Sequence, residues 1–377
     1  MRMLNFLVFG LALSLGSAWV YAGPFEDGVK AYERGNKSTA LKLWRKAADQ
    51  GDAEAQLMLG VMYAEGTGVP KDDQQAVAWF RKAADQGNAA AQAMLGLMYD
   101  IGIGVPKDDQ QAVAWYRKAA DQGNAVAQSN LGFMYANGTG VRKDDQQAVA
   151  WYRKAADQGH AKAQYNLGVI YASGIRVPKD DQQAVAWYRK AADQGHAAAQ
   201  FNLGVMYAEG TGVPKDDQQA VAWFRKAADQ GLAKAQYNLG VIYDNGIGVP
   251  KDDQQAVAWY RQAADQGHAD AQHNLGVIYA SGIRVPKDDQ QAVAWFRKAA
   301  DQGDAAAQFN LGVMYAKGTG VPKDDQQAYF WWLLSSAQGL EGAAKNRDLV
   351  ELRLTPAQRA AAQAKARDWK PASGYKK

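Results

Sequence analysis

The sequence predicts an all-α array of stacked helix pairs, and three observations lead to this fold class. A 36-residue unit, 52–87 in its first copy, recurs eight times over residues 52–339. Each copy holds two helical patterns separated by a loop rich in glycine and proline, residues that interrupt helices. A two-helix unit this short buries its apolar face only by stacking on its neighbours. The register is fixed by the glutamine of an A-x-A-Q motif, which recurs every 36 residues at Gln56, Gln92, Gln128, Gln164, Gln200, Gln236, Gln272 and Gln308.

Residues 1–22 are predicted to be a secretory signal peptide. Arg2 precedes an apolar run, and a small-residue cleavage motif ends at Ala22, so we expect cleavage after that residue. The alternative is an uncleaved anchor, but the apolar run is short for a membrane span of about 20 residues. The sequence has no cysteine, which excludes a lipoprotein and disulfides. We therefore expect a periplasmic or secreted protein that meets the membrane only through its signal peptide during export.

Residues 23–51 are predicted to be a short N-terminal repeat that caps the array, because they lack the long loop but end in the same KAADQG. In the first full copy, a helix over residues 53–64 places Gln56, Gly60 and Tyr63 on one face. A glycine inside a helix costs about 1 kcal/mol relative to alanine. Its return in each copy predicts close contact with a neighbouring helix.

The second helix of each unit begins in the segment KDDQQAVAWFRKAADQG, residues 71–87. Asp72 is a suitable N-cap, Gln75 is placed to complete a capping box, and Gly87 is suited to end the helix. Trp79 and its seven equivalents resemble a stacking ladder for sugars or bases. Their place inside a helix with neighbours on both sides favours interior or inter-repeat packing instead.

Residues 340–377 are predicted to form C-terminal capping helices. Thr355 is a suitable N-cap, Pro356 takes the first helical position and Gln358 completes a capping box. A terminal repeat needs a polar outer face. The basic residues that would supply it are Arg353, Arg359, Lys365 and Arg367.

The repeated motif, A-x-A-Q-x-N-L-G-x-x-Y-x-x-G-x-G-V followed by A-x-x-W-Y-x-K-A-A-x-Q-G, resembles the Sel-one-like repeats, relatives of the tetratricopeptide repeat. The resemblance implies a right-handed α/α solenoid of about eight 36-residue helix-turn-helix repeats with terminal caps. It also implies that the first helix of each repeat lines a concave groove and that the protein is an interaction scaffold. Some relatives carry cysteine pairs and are linked to β-lactam binding, but those cysteines are absent here.

No catalytic, metal or cofactor site is predicted. The paired carboxylates Asp72 and Asp73 return in near-identical surroundings in every copy, whereas catalysis needs one site with differentiated groups. Three of the four histidines recur at one repeat position and should lie far apart. The 43 basic and 39 acidic residues are interspersed, which gives no basic block of the kind that binds nucleic acid.

The predicted binding residues lie where the copies disagree, on the first helix of each repeat. A protein or peptide partner is expected there, and its identity is unknown. The alternative is that these side chains only pack between neighbouring first helices. For the whole protein, the alternatives are a β-lactam-binding or cell-wall-active protein and a passive spacer. The predicted groove residues are an aromatic strip, Tyr165, Phe201, Tyr237, His273 and Phe309, with the adjacent amides Asn166, Asn202, Asn238, Asn274 and Asn310 and the lysines Lys162 and Lys234.

Overall fold

The computed structural model describes residues 23–372 and shows an all-α solenoid. The predicted signal peptide therefore lies outside the described residues. Within them, every element of regular structure is a helix, which confirms the predicted fold class. The chain divides into two compact units, the first ending at Asp180 and the second beginning at Asp181.

The first unit contains nine helices in the described range. A short pair comes first, and three full pairs and the first helix of a fourth follow. The helices are α1 (Pro24–Glu33), α2 (Lys37–Asp49), α3 (Ala53–Glu65), α4 (Asp73–Asp85), α5 (Ala89–Ile101), α6 (Asp109–Asp121), α7 (Ala125–Asn137), α8 (Asp145–Asp157) and α9 (Ala161–Ser173).

The second unit contains eleven helices in the described range. It begins with the second helix of the fourth repeat and ends with two helices beyond the repeats. The helices are α10 (Asp181–Asp193), α11 (Ala197–Glu209), α12 (Asp217–Asp229), α13 (Ala233–Asn245), α14 (Asp253–Asp265), α15 (Ala269–Ser281), α16 (Asp289–Asp301), α17 (Ala305–Lys317), α18 (Asp325–Ala337), α19 (Glu341–Glu351) and α20 (Pro356–Asp368).

Consecutive helices pack on each other within each unit. In the first unit, α3 packs on α4 and α4 packs on α5; in the second, α13 packs on α14 and α14 packs on α15. First helices of successive repeats are also in contact. Examples are α5 with α7 in the first unit and α15 with α17 in the second. Each unit is thus built by nearest-neighbour stacking.

Most helix ends follow the predicted caps. The Asp72 carboxylate accepts from the backbone amides of Gln74 and Gln75, each at 3.0 Å, and so begins α4. The capping box predicted with the Gln75 side chain does not form, because the Asp72 amide donates to the Tyr63 carbonyl at 2.9 Å instead. Gly87 follows the end of α4 with φ +92°, a conformation open to glycine and strained for other residues. At α20, Thr355 and Gln358 form the predicted reciprocal capping box, with Pro356 in the first helical position.

The recurring helix glycine is explained by a ring of the second helix. A Cβ at Gly60 would lie 2.5 Å from the Phe80 ring, and one at Gly240 would lie 2.5 Å from the Tyr260 ring. These distances are too short for two carbon atoms. The predicted close contact is therefore confirmed, and it lies between the two helices of one repeat.

The recurring tryptophans are buried, which confirms the packing interpretation. Trp79 belongs to an apolar cluster with Trp44 of α2 and with Leu59 and Met62 of α3. The Lys82 ammonium covers its ring at 4.0 Å from the centroid, a favourable cation–π contact. A tryptophan closed in this way offers no open face to a sugar or a base.

Glutamine side chains link successive repeats. Gln56 Nε2 donates to the Ala48 carbonyl of α2 at 3.1 Å, and Gln56 Oε1 accepts from Gln86 Nε2 at 2.7 Å. In the second unit, Gln236 makes the same two bonds, to the Ala228 carbonyl and from Gln266. Each buried glutamine amide thus donates to the preceding helix and accepts from the end of the following helix. This pairing of buried polar groups explains why the glutamine recurs in the A-x-A-Q motif.

The last two helices close the C-terminal end. Gln363 of α20 donates to the Tyr329 hydroxyl of α18 at 3.0 Å, and the Ala372 amide donates to the Asp301 carbonyl at 2.8 Å. Arg353, Lys365 and Arg367 are exposed and Arg359 is half-buried, whereas Leu349 and Leu352 of the same segment are exposed apolar side chains.

Candidate functional site

The predicted groove residues are distributed over both units. Tyr165 and Asn166 are half-buried and Lys162 is exposed, all on α9 of the first unit. The other predicted residues lie on α11, α13, α15 and α17 of the second unit. That unit therefore carries four of the five aromatic residues on the first helices of four successive repeats, namely Phe201, Tyr237, His273 and Phe309. We call these four residues, with Asn202, Asn238, Asn274 and Asn310, the aromatic–amide face.

The rings of the aromatic–amide face lean on the second helix of their own repeat. The Phe201 and Phe224 centroids lie 5.6 Å apart, and the Tyr237 and Tyr260 centroids lie 5.9 Å apart. His273 approaches Phe296 in the same way, at 5.8 Å. The three rings are half-buried, so each packs inward while part of its surface remains exposed.

Phe309 is held at the C-terminal end of this face. Its carbonyl accepts from the Trp332 indole Nε1 at 3.1 Å. A Cβ at Gly342 of α19 would lie 3.4 Å from the Phe309 ring, which is ordinary van der Waals contact. The ring is therefore covered in part by α19, and Phe309 marks the end of the accessible strip.

The amides are partly engaged within the protein. Asn310 Nδ2 and His273 Nε2 lie 3.1 Å apart and so connect α17 to α15. Burial raises the pKa of the Tyr260 hydroxyl above its ordinary value and the Asp244 carboxylate adds to the rise, while a hydrogen bond with Asn274 opposes it. Asn202 and Asn238 are half-buried. The amides thus position rings as well as lining the face.

Valines accompany the aromatic residues one helical turn further along. Val205, Val241, Val277 and Val313 occupy the position four residues after each aromatic, which places them on the same side of the helix. Val277 is exposed and the other three are half-buried. The result is an apolar strip bordered by amides, with Lys234 exposed at its edge.

Sequence reasoning missed an apolar surface on the first unit. Phe133 of α7 is 50% exposed and Ile101 of α5 is 47% exposed, and these two helices touch. At the strip position, by contrast, Leu57, Ala93 and Ser129 of this unit are buried. The available signal was Phe133 itself, since the equivalent residue in the other copies is valine or leucine.

The described residues hold no group of three or more histidine, cysteine or acidic side chains close enough to bind a metal ion. Across residues 23–372 there is also no helix with the length and apolar character needed to cross a membrane. What the described site contains is an apolar surface bordered by amides.

Comparison with protein families matches the Sel1 repeat in nine consecutive segments of this chain. The matches cover the short N-terminal pair as well as the eight full copies. They lie at residues 21–52, 53–88, 89–124, 125–160, 161–196, 197–232, 233–268, 269–304 and 305–340.

Two solved structures are similar over nearly the whole chain. One is c5321, a protective antigen of uropathogenic Escherichia coli with an SLR fold; it is 39% identical, with a TM-score of 0.79, over 92% of this chain and 75% of that one. The other is a Sel1 repeat protein of Oxalobacter formigenes, 34% identical with a TM-score of 0.62, over 91% of this chain and 99% of that one.

A curated relative matches over a shorter stretch. It is an exopolysaccharide production negative regulator of Rhizobium leguminosarum bv. viciae, 41% identical over 58 residues. The match spans 15% of this chain and 22% of that protein. It extends over little more than one repeat and a half.

Proposed function

The chain belongs to the Sel1 repeat family, and from this premise we propose that it is an exported, non-catalytic scaffold that binds a protein or peptide partner. The proposal rests on a contrast between the framework, meaning the residues that pack the repeats together, and the aromatic–amide face. The glutamines, glycines and tryptophans of the framework recur in every full copy, whereas the residue directly after the glutamine changes among the copies between leucine, alanine, serine, tyrosine, phenylalanine and histidine. Variation confined to an accessible face suits recognition of a partner more than stability.

The chemistry of the face indicates how a partner is held. Half-buried aromatic rings supply apolar contact area at a small loss of side-chain entropy, and the bordering amides bond to a peptide backbone. Packed helices lie about 8–10 Å apart, which is close to the length of three residues of an extended chain. An extended partner segment laid across α11, α13 and α15 would run past successive rings.

Export completes the proposal. The predicted signal peptide with cleavage after Ala22 places the mature chain in the periplasm or outside the cell. The absence of cysteine separates the chain from the relatives that are linked to β-lactams. We therefore assign recognition to the aromatic–amide face and to no reactive group.

Site-specific photo-crosslinking in the producing cell tests the proposal. A benzophenone amino acid is placed at position 201, 237 or 273 on the face, or at the exposed Gln218 or Gln254 on the second helices as matched controls. We expect the three face positions to capture one common polypeptide and the controls to capture none. Equal capture from both sets, or none from the face, contradicts the assignment.

A double substitution supplies the second arm. Phe201→Ala with Tyr237→Ala should abolish capture from position 273 while far-UV circular dichroism retains its helical signal. Gln218→Ala with Gln254→Ala is the control and should leave capture unchanged. Persistent capture by the first double variant would show that the rings are not the recognition element.

A further inference from the structure

Three histidines occupy one equivalent position, and one of them behaves differently. His160, His196 and His268 each precede the first helix of a repeat as its N-cap. The Nδ1 atoms of His160 and His196 accept from the backbone amides of Ala163 and Ala199, both at 3.3 Å. The His268 side chain makes no such capping bond. A histidine freed from capping is available for another contact.

The His268 ring instead stacks on the aromatic–amide face. Its centroid lies 4.7 Å from that of Tyr237, with 15° between the two planes. Its Nδ1 is buried and has no hydrogen-bond partner in the described structure. The nearest carboxylate oxygen, Oδ2 of Asp270, lies 4.0 Å away, too far for a hydrogen bond. The imidazole therefore supports one side of Tyr237 without being locked by a bond of its own.

The charges around His268 come from three helices. Asp270 lies on its own helix, α15, and Lys234 lies on α13 beside Tyr237. Asp304, the N-cap of α17, interacts with both Asp270 and His273. Burial lowers the pKa of His268 below its ordinary value and Lys234 lowers it further, while Asp270 raises it. The neutral ring is thus the favoured state in this packing.

We propose that His268 is a pH-sensitive support for Tyr237, which it holds in place when neutral and releases when protonated. The mechanism follows from where the proton would go. A protonated ring would be a mostly buried cation at the N-terminus of α15, where the helix dipole also opposes positive charge. Moving the ring into water relieves both penalties, and this movement removes the surface on which Tyr237 stacks.

The pH window follows from the direction of the pKa shift. Because the folded-state pKa of His268 lies below that of the unfolded chain, the stabilisation that the neutral ring provides is complete above about pH 6.5. It is lost as the pH falls below that value. Loosening of Tyr237 is therefore expected only below about pH 6.5, as the pH falls through the lowered pKa of His268.

Nuclear magnetic resonance of the mature chain with labelled histidine and tyrosine rings tests the switch without any partner. The four histidines give few signals, and His268→Gln identifies the one of interest. We expect its midpoint below pH 6.5 and loss of the ring-to-ring Overhauser contact with Tyr237 as it protonates. A contact that persists through the titration, or a midpoint at or above 6.5, overturns the proposal.

Two charge variants sharpen the assignment. Asp270→Asn removes the carboxylate that favours the cation and should move the His268 midpoint to lower pH. Lys234→Gln removes a repelling cation and should move it to higher pH. If neither variant moves the midpoint, the charges of Asp270 and Lys234 do not control the protonation of His268, and this part of the proposal is wrong.

The effect on binding rests on the proposed function and has its own readout. Crosslinking from a benzophenone at position 205 should fall as the pH drops through the His268 midpoint measured by resonance in the wild-type chain, and stay constant over the same range in His268→Gln. An equal fall in both chains overturns the link between His268 and binding. Absence of crosslinking at every pH contradicts the proposed function, while the resonance titration still decides the switch.

Discussion

Repeats one to three lie in the first unit and repeats five to eight lie in the second. Their first helices share the same packing residues but differ at one position, the residue after the glutamine. In both units a helix glycine lies against a ring, as Gly96 does against Tyr116 and Gly240 against Tyr260. Yet the residue after the buried glutamine is small or aliphatic and buried in repeats one to three, as with Ser129. In repeats five to eight it is a half-buried ring such as Tyr237.

The difference teaches that stacking and surface chemistry are separable in this chain. The glutamine bonds and glycine–ring contacts are the same in both units whichever residue follows the glutamine. That residue can therefore change from serine to tyrosine while the helix bounds keep the same register, Ala125–Asn137 in α7 and Ala233–Asn245 in α13. Nearest-neighbour stacking makes such exchange local.

The largest expected effect comes from breaking the shared framework. Gly240→Ala would place a Cβ 2.5 Å from the Tyr260 ring, and overpacking of this kind costs about 1–3 kcal/mol. The gain in helix propensity, about 1 kcal/mol, offsets part of it. We expect a net loss of up to about 2 kcal/mol, seen as a lower urea midpoint by circular dichroism.

Gly132→Ala is the matched change in the first unit. Its Cβ would lie 2.9 Å from the Tyr152 ring, so a smaller loss, about 1 kcal/mol or less, is expected because less movement is needed. Burial raises the pKa of that tyrosine to about 12, in keeping with a closed junction. A stabilising effect at both glycines would refute the idea of a shared steric framework.

The second effect concerns the position at which the two regions differ. Tyr237→Ala removes a half-buried ring that contacts Tyr260 and His268, and we expect a loss of about 1 kcal/mol. Ser129→Ala removes a buried hydroxyl that has no hydrogen-bond partner in the described structure. We expect this change to leave stability the same or to raise it by up to about 1 kcal/mol. Thermal melts of the two variants compare their stabilities. Equal losses of stability in both variants would contradict the expected difference between the two regions.

The smallest effect comes from two loops in which arginine replaces a glycine. Arg176 contacts the Asp145 carboxylate at 2.9 Å and the Ala136 carbonyl at 3.0 Å. Arg284 lies between two carboxylates, those of Asp244 and Asp253. Ion pairs of this partly exposed kind contribute about 1 kcal/mol or less.

We therefore expect Arg284→Gly to lower the urea midpoint slightly, and Arg176→Gly to lower it less because it loses one carboxylate contact rather than two. The Arg284 effect should shrink in 0.5 M salt, since screening weakens charge pairs. A larger effect for Arg176→Gly, or no salt dependence for Arg284→Gly, would show that loop conformation rather than charge decides stability here.

Much of the candidate site was predictable. The sequence placed Phe201, Tyr237, His273 and Phe309 on first helices at one repeat position, and the helix bounds agree with that placement. It did not reveal that each of the first three leans on an aromatic residue 23 positions later, in the second helix. It also did not reveal the exposed Phe133. Exposure depends on which neighbours cover a side chain, and repeat spacing carries no such information.

The sequence by itself determined the repeat length, the two helices of each repeat and their caps. These features are local, because an N-cap such as Asp72 and a stop such as Gly87 act within a few residues. Only the tertiary structure decided which equivalent residues act differently. His268 stacks on Tyr237, 31 positions earlier in the sequence, whereas His160 caps its own helix. Contacts between repeats depend on the pair of residues that meet, so near-identical copies acquire different roles.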